Sequence, residues 1–445
     1  MQRTIFTKAL VVFVLSILLL IPLGMIGGKV YERQAYRDGV RREISESWTG
    51  EQTLRGPVLV VPYVEKVRSR VWDKELEKYV DQVVEYERAL HFFPQRLDIE
   101  AEIQTEERYR GIYSVPVYTS LMKIAGEFRL PAYYGVEAGR DISWRDAFLS
   151  LGVGDVRGIR DGLSLKWQGQ NAVFLPGGGM TPFSQGVHAD LKSLHSASDK
   201  SFAFVIGLKL AGTERLNVVP VGVDTRVSMR SPWPHPSFIG RFLPETRSVD
   251  AQGFQASWAV SHFSTNMVEV FESCVSGQCA DLENTRFGVS FMQPVDVYSL
   301  TDRALKYGIL FIGLTFGVFF LFEILKRMAI HPVQYGLVGL ALAVFYQLLI
   351  SLSEHMAFGI AYLIAAGASI SLITFYVCYV LKSALRGLGF GCILGLLYGM
   401  LFLILKSEDH SLLMGSILVF LALASAMYLT RNVDWYRLTD SRGAA

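Results

Sequence analysis

Apolar residues are distributed along this chain so unevenly that the distribution itself limits the fold. An uncharged stretch runs from Ala9 to Gly28, and a long segment of ordinary mixed composition follows. Five further apolar stretches then crowd between Tyr307 and Leu429. Each holds about 20 residues, enough for a helix to cross a hydrocarbon core of about 30 Å. The pattern predicts a membrane protein: a six-helix transmembrane bundle, one helix plus five, with a large mostly-β extracytoplasmic domain inserted between helices one and two. The expected parts are a transmembrane signal anchor at 1–29, the β domain with an N-terminal stalk helix at 30–303, the five-helix bundle at 304–431 and a tail at 432–445. Its five spans are expected near 305–325, 333–351, 358–381, 387–405 and 412–429.

Charge sets the expected orientation. The net charge of +2 hides an asymmetry in the short segments that flank the apolar stretches. With the N-terminus in the cytosol, the inner segments hold Arg3, Lys8, Lys326, Arg327, Lys382, Arg386, Arg431, Arg437 and Arg442. The two short outer loops hold only Lys406. Cytoplasmic loops carry the excess of Lys and Arg, so both termini are expected in the cytosol and the domain outside it. The first stretch is long for a cleaved signal and lacks a small-x-small site before Lys29, which favours an uncleaved anchor. Tyr307, Tyr335, Trp435 and Tyr436 are expected at the interfaces, where amphipathic rings collect.

Within the inserted domain, Pro57–Val64, Ile99–Ile103, Tyr113–Tyr118, Phe202–Leu208 and Gln255–Val260 read as strands punctuated by Gly and Pro. Many short strands suggest an antiparallel two-sheet or barrel-like domain, at roughly 240 residues large enough to bury its own core. Only Tyr31–Trp48 and the segment after Ser143 read as helical, Ser143 serving as cap. Cys274 and Cys279 are spaced for a small disulfide loop, for free thiols or, without a further His or Cys at ligand spacing, less naturally for metal.

No nucleophile elbow, His-Glu-x-x-His or phosphate-binding loop occurs, and Gly177-Gly-Gly-Met-Thr-Pro reads as a turn. His188, Asp190 and His195 form a loose set in a loop-like stretch. Ser231-Pro-Trp-Pro-His-Pro-Ser is the sharpest local signal. Its alternating prolines stiffen an extended segment that either presents Trp233 and His235 for docking or tucks Trp233 inward.

Inside the membrane stretches, Gly387, Gly391, Gly395 and Gly399 recur at every fourth residue and predict a smooth helix face for close packing. Ala361, Ala365 and Ser369 offer a similar face one helix earlier. Glu323 is expected to pair with Lys326 and Arg327 at the cytoplasmic surface. The outer loops read Ser351-Leu-Ser-Glu-His355 and Lys406-Ser-Glu-Asp-His410, each topping a hairpin whose ascending helix carries a tyrosine, Tyr346 or Tyr398. The two hairpins read as weak copies of one another. Glu354, His355, Glu408, Asp409 and His410 could converge there as an acid- and His-rich site for protons or zinc, or serve simply as solvated turns.

Several longer runs resemble the CreD family of bacterial inner-membrane proteins. They are Arg110-Gly-Ile-Tyr-Ser-Val-Pro-Val-Tyr118, Ser231-Pro-Trp-Pro-His-Pro-Ser-Phe238, Gly253-Phe-Gln-Ala-Ser-Trp258 and Phe287-Gly-Val-Ser-Phe-Met-Gln-Pro-Val-Asp-Val-Tyr298 in the domain. His331-Pro-Val-Gln-Tyr335, Leu352-Ser-Glu-His355, Lys406-Ser-Glu-Asp-His410 and Arg431-Asn-Val-Asp-Trp-Tyr436 extend the match into the membrane part. The resemblance implies an inner-membrane protein linked to envelope integrity and to tolerance of β-lactams and colicins, without an established catalytic mechanism or ligand. The expected role is non-enzymatic, with no cofactor, metal or nucleic acid. Its expected partners are the lipid of the inner membrane and a periplasmic protein or envelope polymer. A transporter or channel for an envelope component or toxic solute is the alternative.

Overall fold

The structure, a computed structural model, describes residues 4–73, 78–137, 140–192, 194, 197–291, 297–326, 330–407 and 410–431. The chain divides into two compact units: a helical one formed by Met1–Asp38 with Val295–Ala445, and a β unit formed by Gly39–Pro294.

The helical unit begins with α1 (Thr4–Leu18) and α2 (Leu20–Ser47). Pro22 has no N–H to give the Leu18 carbonyl, which interrupts the ladder at Leu19. Hydrogen bonds from Leu19 to Leu15 at 3.0 Å and from Leu23 to Leu19 at 3.3 Å carry the helix across. Two short helices, α3 (Met267–Val275) and α4 (Ala280–Asn284), belong to the β unit. The helical unit resumes with α5 (Val297–Lys306), α6 (Gly308–Lys326), α7 (Pro332–Ser353), α8 (Phe358–Val380), α9 (Ala384–Lys406) and α10 (Ser411–Thr430). Among the described residues, 5 helices are long and apolar enough to cross a membrane, or 6 when α5 and α6 count as one bent span. α5 and α6 meet at a bend of 46°. α5 is the amphipathic half. Its Asp302 and Lys306 form a partly exposed ion pair at 2.7 Å, while Tyr298, Thr301 and Ala304 turn inward.

The β unit is a two-sheet sandwich whose sheets feed one apolar core. One sheet has nine strands, ordered Pro236–Gly240, Phe287–Phe291, Arg215–Val219, Gln52–Asp73, Phe148–Gly152, Gly186–Asp190 and Leu175–Pro176, with Lys78–Phe92 and Ile142–Trp144 also paired to Gln52–Asp73. The other has eight strands, ordered Thr246–Asp250, Gly253–Ser261, Asp224–Ser231, Arg96–Arg110, Tyr113–Leu130, Lys200–Thr213, Ser164–Trp167 and Gln170–Ala172. The sheets are mixed, not purely antiparallel, because Gln52–Arg55 runs parallel to Leu216–Val219 and Arg96–Glu102 runs parallel to Asp224–Arg230.

Two local expectations fail. The segment after Ser143 is not a helix but the strands Ile142–Trp144 and Phe148–Gly152. The second is a central strand, with Leu149, Ser150 and Leu151 all fully buried, and that continuous burial mimics a helix in a short apolar run. Conversely, α3 and α4 arise where no helix was expected, around the Cys274–Cys279 bridge.

Asp155 knots the entry of the β unit. Its carboxylate accepts the Gly50 N–H at 3.0 Å and the Arg157 guanidinium at 2.7 Å, while Gln52 donates to the Asp155 carbonyl at 3.0 Å. The Arg157 hydrogen bonds hold the Asp155 carboxyl down at a pKa of about 2, against the opposing effect of burial.

Candidate functional site

The interior of the helical unit carries polar groups at three levels along α7. His331 starts this helix: its ring accepts the Val333 N–H at 3.3 Å, and the Gln334 side chain accepts the His331 N–H at 3.0 Å. Pro332 occupies the first turn, where a missing N–H costs nothing. With the helix so fixed, Tyr335, Tyr346 and Glu354 rise along it at intervals of about 16 Å and about 12 Å, at 1.5 Å per residue.

At the first level the Tyr335 hydroxyl donates to Glu323 Oε2 at 2.9 Å, and the Ile330 N–H donates to Oε1 at 3.4 Å. Glu323 is only 6% exposed. Tyr335, expected at an interface, is therefore buried as a donor to a buried acid. Of the cations expected beside Glu323, Arg327 and the Lys326 side chain lie outside the described residues.

The second level is a knot of buried aromatics. Phe345 stands between Tyr346, Tyr362 and Tyr398, at ring distances of 4.9, 5.5 and 4.7 Å, and Phe311 closes on Tyr398 at 4.5 Å. Tyr362 donates to the Tyr398 carbonyl at 2.7 Å. Among the described residues the buried Tyr346 hydroxyl has no hydrogen-bond partner, while the Tyr398 hydroxyl lies beside the Ser369 side chain. The two tyrosines of the similar hairpins thus lie in one cluster.

Glu354 forms the third level, as the residue that caps the C-terminus of α7. Its Oε1 accepts the Tyr298 hydroxyl at 3.1 Å and lies 3.5 Å from Arg33 Nε, and its side chain is only 12% exposed. The Arg37 guanidinium stands over the Tyr298 ring at 5.7 Å. Glu354 therefore joins α7 to α2 and α5. His355 and His410 are exposed, while Glu408 and Asp409 lie outside the described residues. Among the described residues no group of three His, Cys, Asp or Glu side chains is placed to hold a metal ion.

In the β unit, Trp233 packs partly against the core and its indole N–H donates to the His235 carbonyl at 3.1 Å. The His235 side chain is exposed. His188 lies 2.6 Å from the Gly177 carbonyl and 4.0 Å from Asp190, and His195 lies outside the described residues. The Gly177–Gly179 segment is a packing turn: a Cβ at Gly178 would collide with the Phe183 carbonyl, and one at Gly179 with the Phe148 ring. On the solvent side of the eight-stranded sheet, Arg96, Glu100, Lys123, Arg226 and Glu245 line a groove of about 560 Å³.

A family model described as inner membrane protein CreD matches residues 4–436. The chain belongs to the CreD family. Inner membrane protein CreD of Escherichia coli K12 is 37% identical over 438 residues, covering 98% of this chain and 95% of that protein. As a CreD-family member with several apolar helices, the chain is a multi-pass inner-membrane protein. Among solved structures, an M1 zinc metallopeptidase from Deinococcus radiodurans shares 14% identity at a TM-score of 0.22, over 38% of this chain and 38% of the peptidase. Native leukotriene A4 hydrolase from Saccharomyces cerevisiae shares 10% at a TM-score of 0.18, over 38% of this chain and 27% of the hydrolase. Likeness that weak and partial says nothing about the chemistry of a CreD protein.

Several runs that carry the CreD resemblance coincide with the polar levels. His331–Tyr335 supplies the α7 cap and the donor to Glu323, and Leu352–His355 delivers Glu354. Arg110–Tyr118 ends in Tyr118, whose hydroxyl donates to the Arg215 carbonyl at 2.7 Å and whose burial pushes its ionisation up. No role for Arg33, Arg37 and Tyr298 was legible in the sequence. Two arginines four apart on one face of the helix leaving the membrane were the available signal.

Proposed function

We propose that this CreD-family protein supports envelope integrity and tolerance of β-lactams and colicins without catalysing a reaction, its β unit facing the periplasm and binding an envelope component. The observation that carries this reading is the insertion itself: a β unit with its own core, entered through α2 and left through α5, is a binding module held at a membrane. The charge asymmetry of the short loops supports a cytosolic location for both termini. A cysteine placed at His410 should then react with a membrane-impermeant maleimide in intact spheroplasts, and one at Lys382 only after permeabilisation. The reverse pattern would invert the orientation and end the periplasmic reading.

One observation favours a second reading, a conduit for a polar solute or protons. Polar groups at membrane depth are costly and often mark such paths, and Tyr346 buries a hydroxyl with no hydrogen-bond partner among the described residues between Glu323 and Glu354. Complementation of a β-lactam-sensitive deletion strain, with protein levels quantified, separates the two. Loss of rescue at normal abundance in Trp233→Ala or Arg226→Glu supports the binding module. Loss confined to Tyr346→Phe/Tyr398→Phe or Glu354→Ala supports the conduit.

A further inference from the structure

The break between α5 and α6 sets a bare helix end against a buried hydroxyl. The Tyr307 N–H reaches the Arg303 carbonyl at 3.2 Å and the Phe311 N–H reaches the Tyr307 carbonyl at 3.0 Å, so Tyr307 closes one helix and opens the next. A helix that restarts in this way leaves the N–H groups of its first turn, here Gly308, Ile309 and Leu310, without partners in its own ladder. That end carries about half a positive charge. The carbonyl end of α5 is offset by Arg303 and Lys306 in its last turn. Gly308 is buried, and Tyr346 is fully so. A Cβ on Gly308 would lie 3.3 Å from the Tyr346 hydroxyl oxygen, with Leu23 Cδ1 at 3.4 Å on another side. The inward hydroxyls of α5 are taken: Thr301 donates to the Val297 carbonyl at 2.7 Å, and Tyr298 donates to Glu354. The Tyr346 hydroxyl has no hydrogen-bond partner among the described residues.

We propose that this break binds a small monovalent anion, held by the amino end of α6 and the Tyr346 hydroxyl. Broken membrane helices direct such amino ends at anionic groups, and a phenol O–H offers the same anion a further donor. These donors are neutral. They suit a single negative charge, because a second one would raise the desolvation cost steeply. Gly308 keeps the helix end open, since a side chain there would crowd the hydroxyl. Chloride and a small carboxylate share this chemistry. The proposal rests on the conduit reading and names its solute class.

The test uses the full-length protein in detergent and follows broadening of the chloride NMR signal, with sodium gluconate holding the ionic strength constant. Wild type should broaden the signal saturably, and added bromide should reverse the broadening. Tyr346→Phe removes the donor and Gly308→Ala fills the gap, and each should weaken binding at least about tenfold. Unchanged helical circular dichroism and elution show that each variant folds. Displacement by acetate as well as bromide extends the site to carboxylates, and acetate without effect confines it to halides. The proposal is overturned by no saturable broadening up to about 100 mM chloride, or by either variant binding as wild type does. Sulfate that displaces chloride more strongly than bromide overturns it too, since that order marks surface arginines. Binding is read here without any flux. Its absence therefore removes the anion while rescue by Tyr346→Phe still judges the conduit, and a Tyr346→Phe variant that rescues without binding chloride keeps the site and removes the conduit.

Discussion

The glycines of α9 allow the packing of the bundle to be tested residue by residue. Gly387, Gly391, Gly395 and Gly399 occupy one helix face, yet their surroundings differ. A Cβ on Gly387 would lie 2.7 Å from the Cys378 Cα and 2.9 Å from its N, and would also strike the Cys378 sulfur. At Gly391 it would meet the Thr374 side chain, with Cγ2 at 3.0 Å. At Gly395 the nearest atom is Ile370 Cδ1 at 4.0 Å, and at Gly399 nothing lies within 4 Å. The helices α8 and α9 approach most closely beside their connecting turn and diverge from it. Only the first two glycines are needed for contact.

The magnitudes follow. Replacing a helical glycine by alanine gains about 1 kcal/mol of propensity, because the unfolded chain loses freedom. Overpacking costs about 1–3 kcal/mol. Gly387 belongs at the top of that range, since a backbone atom cannot rotate away. Gly387→Ala should therefore destabilise the bundle by about 2 kcal/mol net, Gly391→Ala by about 1 kcal/mol, and Gly399→Ala should stabilise it by up to about 1 kcal/mol. Unfolding in mixed micelles by added SDS, followed by the helical far-UV circular dichroism, ranks the three. Gly387→Ala as stable as wild type, or Gly399→Ala as damaging as Gly387→Ala, would refute the α8–α9 contact.

Four further outcomes are expected. A double-mutant cycle of Tyr298→Phe and Glu354→Gln should give a coupling of about 0.5–1.5 kcal/mol, as for hydrogen bonds between membrane helices; zero coupling would dissolve the link between α5 and α7. The Asp155 carboxyl has its pKa lowered from 3.8 to about 2, so the unfolded chain binds its proton first on acidification. Its contribution, at most about 2 kcal/mol, is complete above pH 4 and fades as pH falls toward 2; Asp155→Asn should flatten that stretch of the acid-denaturation curve, and an unchanged curve would contradict it. Maleimide labelling of denatured protein should reach Cys274 and Cys279 only after reduction, and by loop entropy the bridge should contribute about 2 kcal/mol; prompt labelling without reductant would show free thiols. Tyr346→Phe should leave stability equal or raise it by up to about 1 kcal/mol, since it removes a buried hydroxyl with no partner among the described residues; a loss above about 2 kcal/mol would mean that the hydroxyl is satisfied.

The membrane architecture was legible because 20 apolar residues have few fates. The existence of strands was legible where Ile99–Ile103 alternates along a half-buried face. Phe148–Gly152 was not, since a strand buried on both faces loses the alternation that separates it from a helix. The same loss blurs the bundle. In α7 nearly every residue is apolar, so nothing local tells which of its side chains face inward. The pairing of Tyr335 with Glu323 was hidden for that reason. The outer His–carboxylate turns showed the opposite difficulty. Glu354 and His355 are adjacent in sequence, but the helix end turns Glu354 toward Arg33 and Tyr298 and His355 to the outside.

What distinguishes the three polar levels is whether their groups are satisfied. Glu323 and Glu354 each accept a tyrosine hydroxyl, as buried carboxylates must to avoid a large desolvation penalty. Packing accounts for both without any further role. Tyr346 is different, because phenylalanine would fill the same volume beside Phe345 and leave no hydroxyl to desolvate. That hydroxyl costs up to about 1 kcal/mol relative to phenylalanine, a noticeable term against the net stability of a bundle. A bundle serving only as an anchor gains nothing from that expense. If the binding module is the whole function, Tyr346→Phe should match or outlast wild type in detergent and still rescue the strain. If rescue fails while stability holds or rises, the hydroxyl serves the activity, and the centre of the bundle is where the protein works.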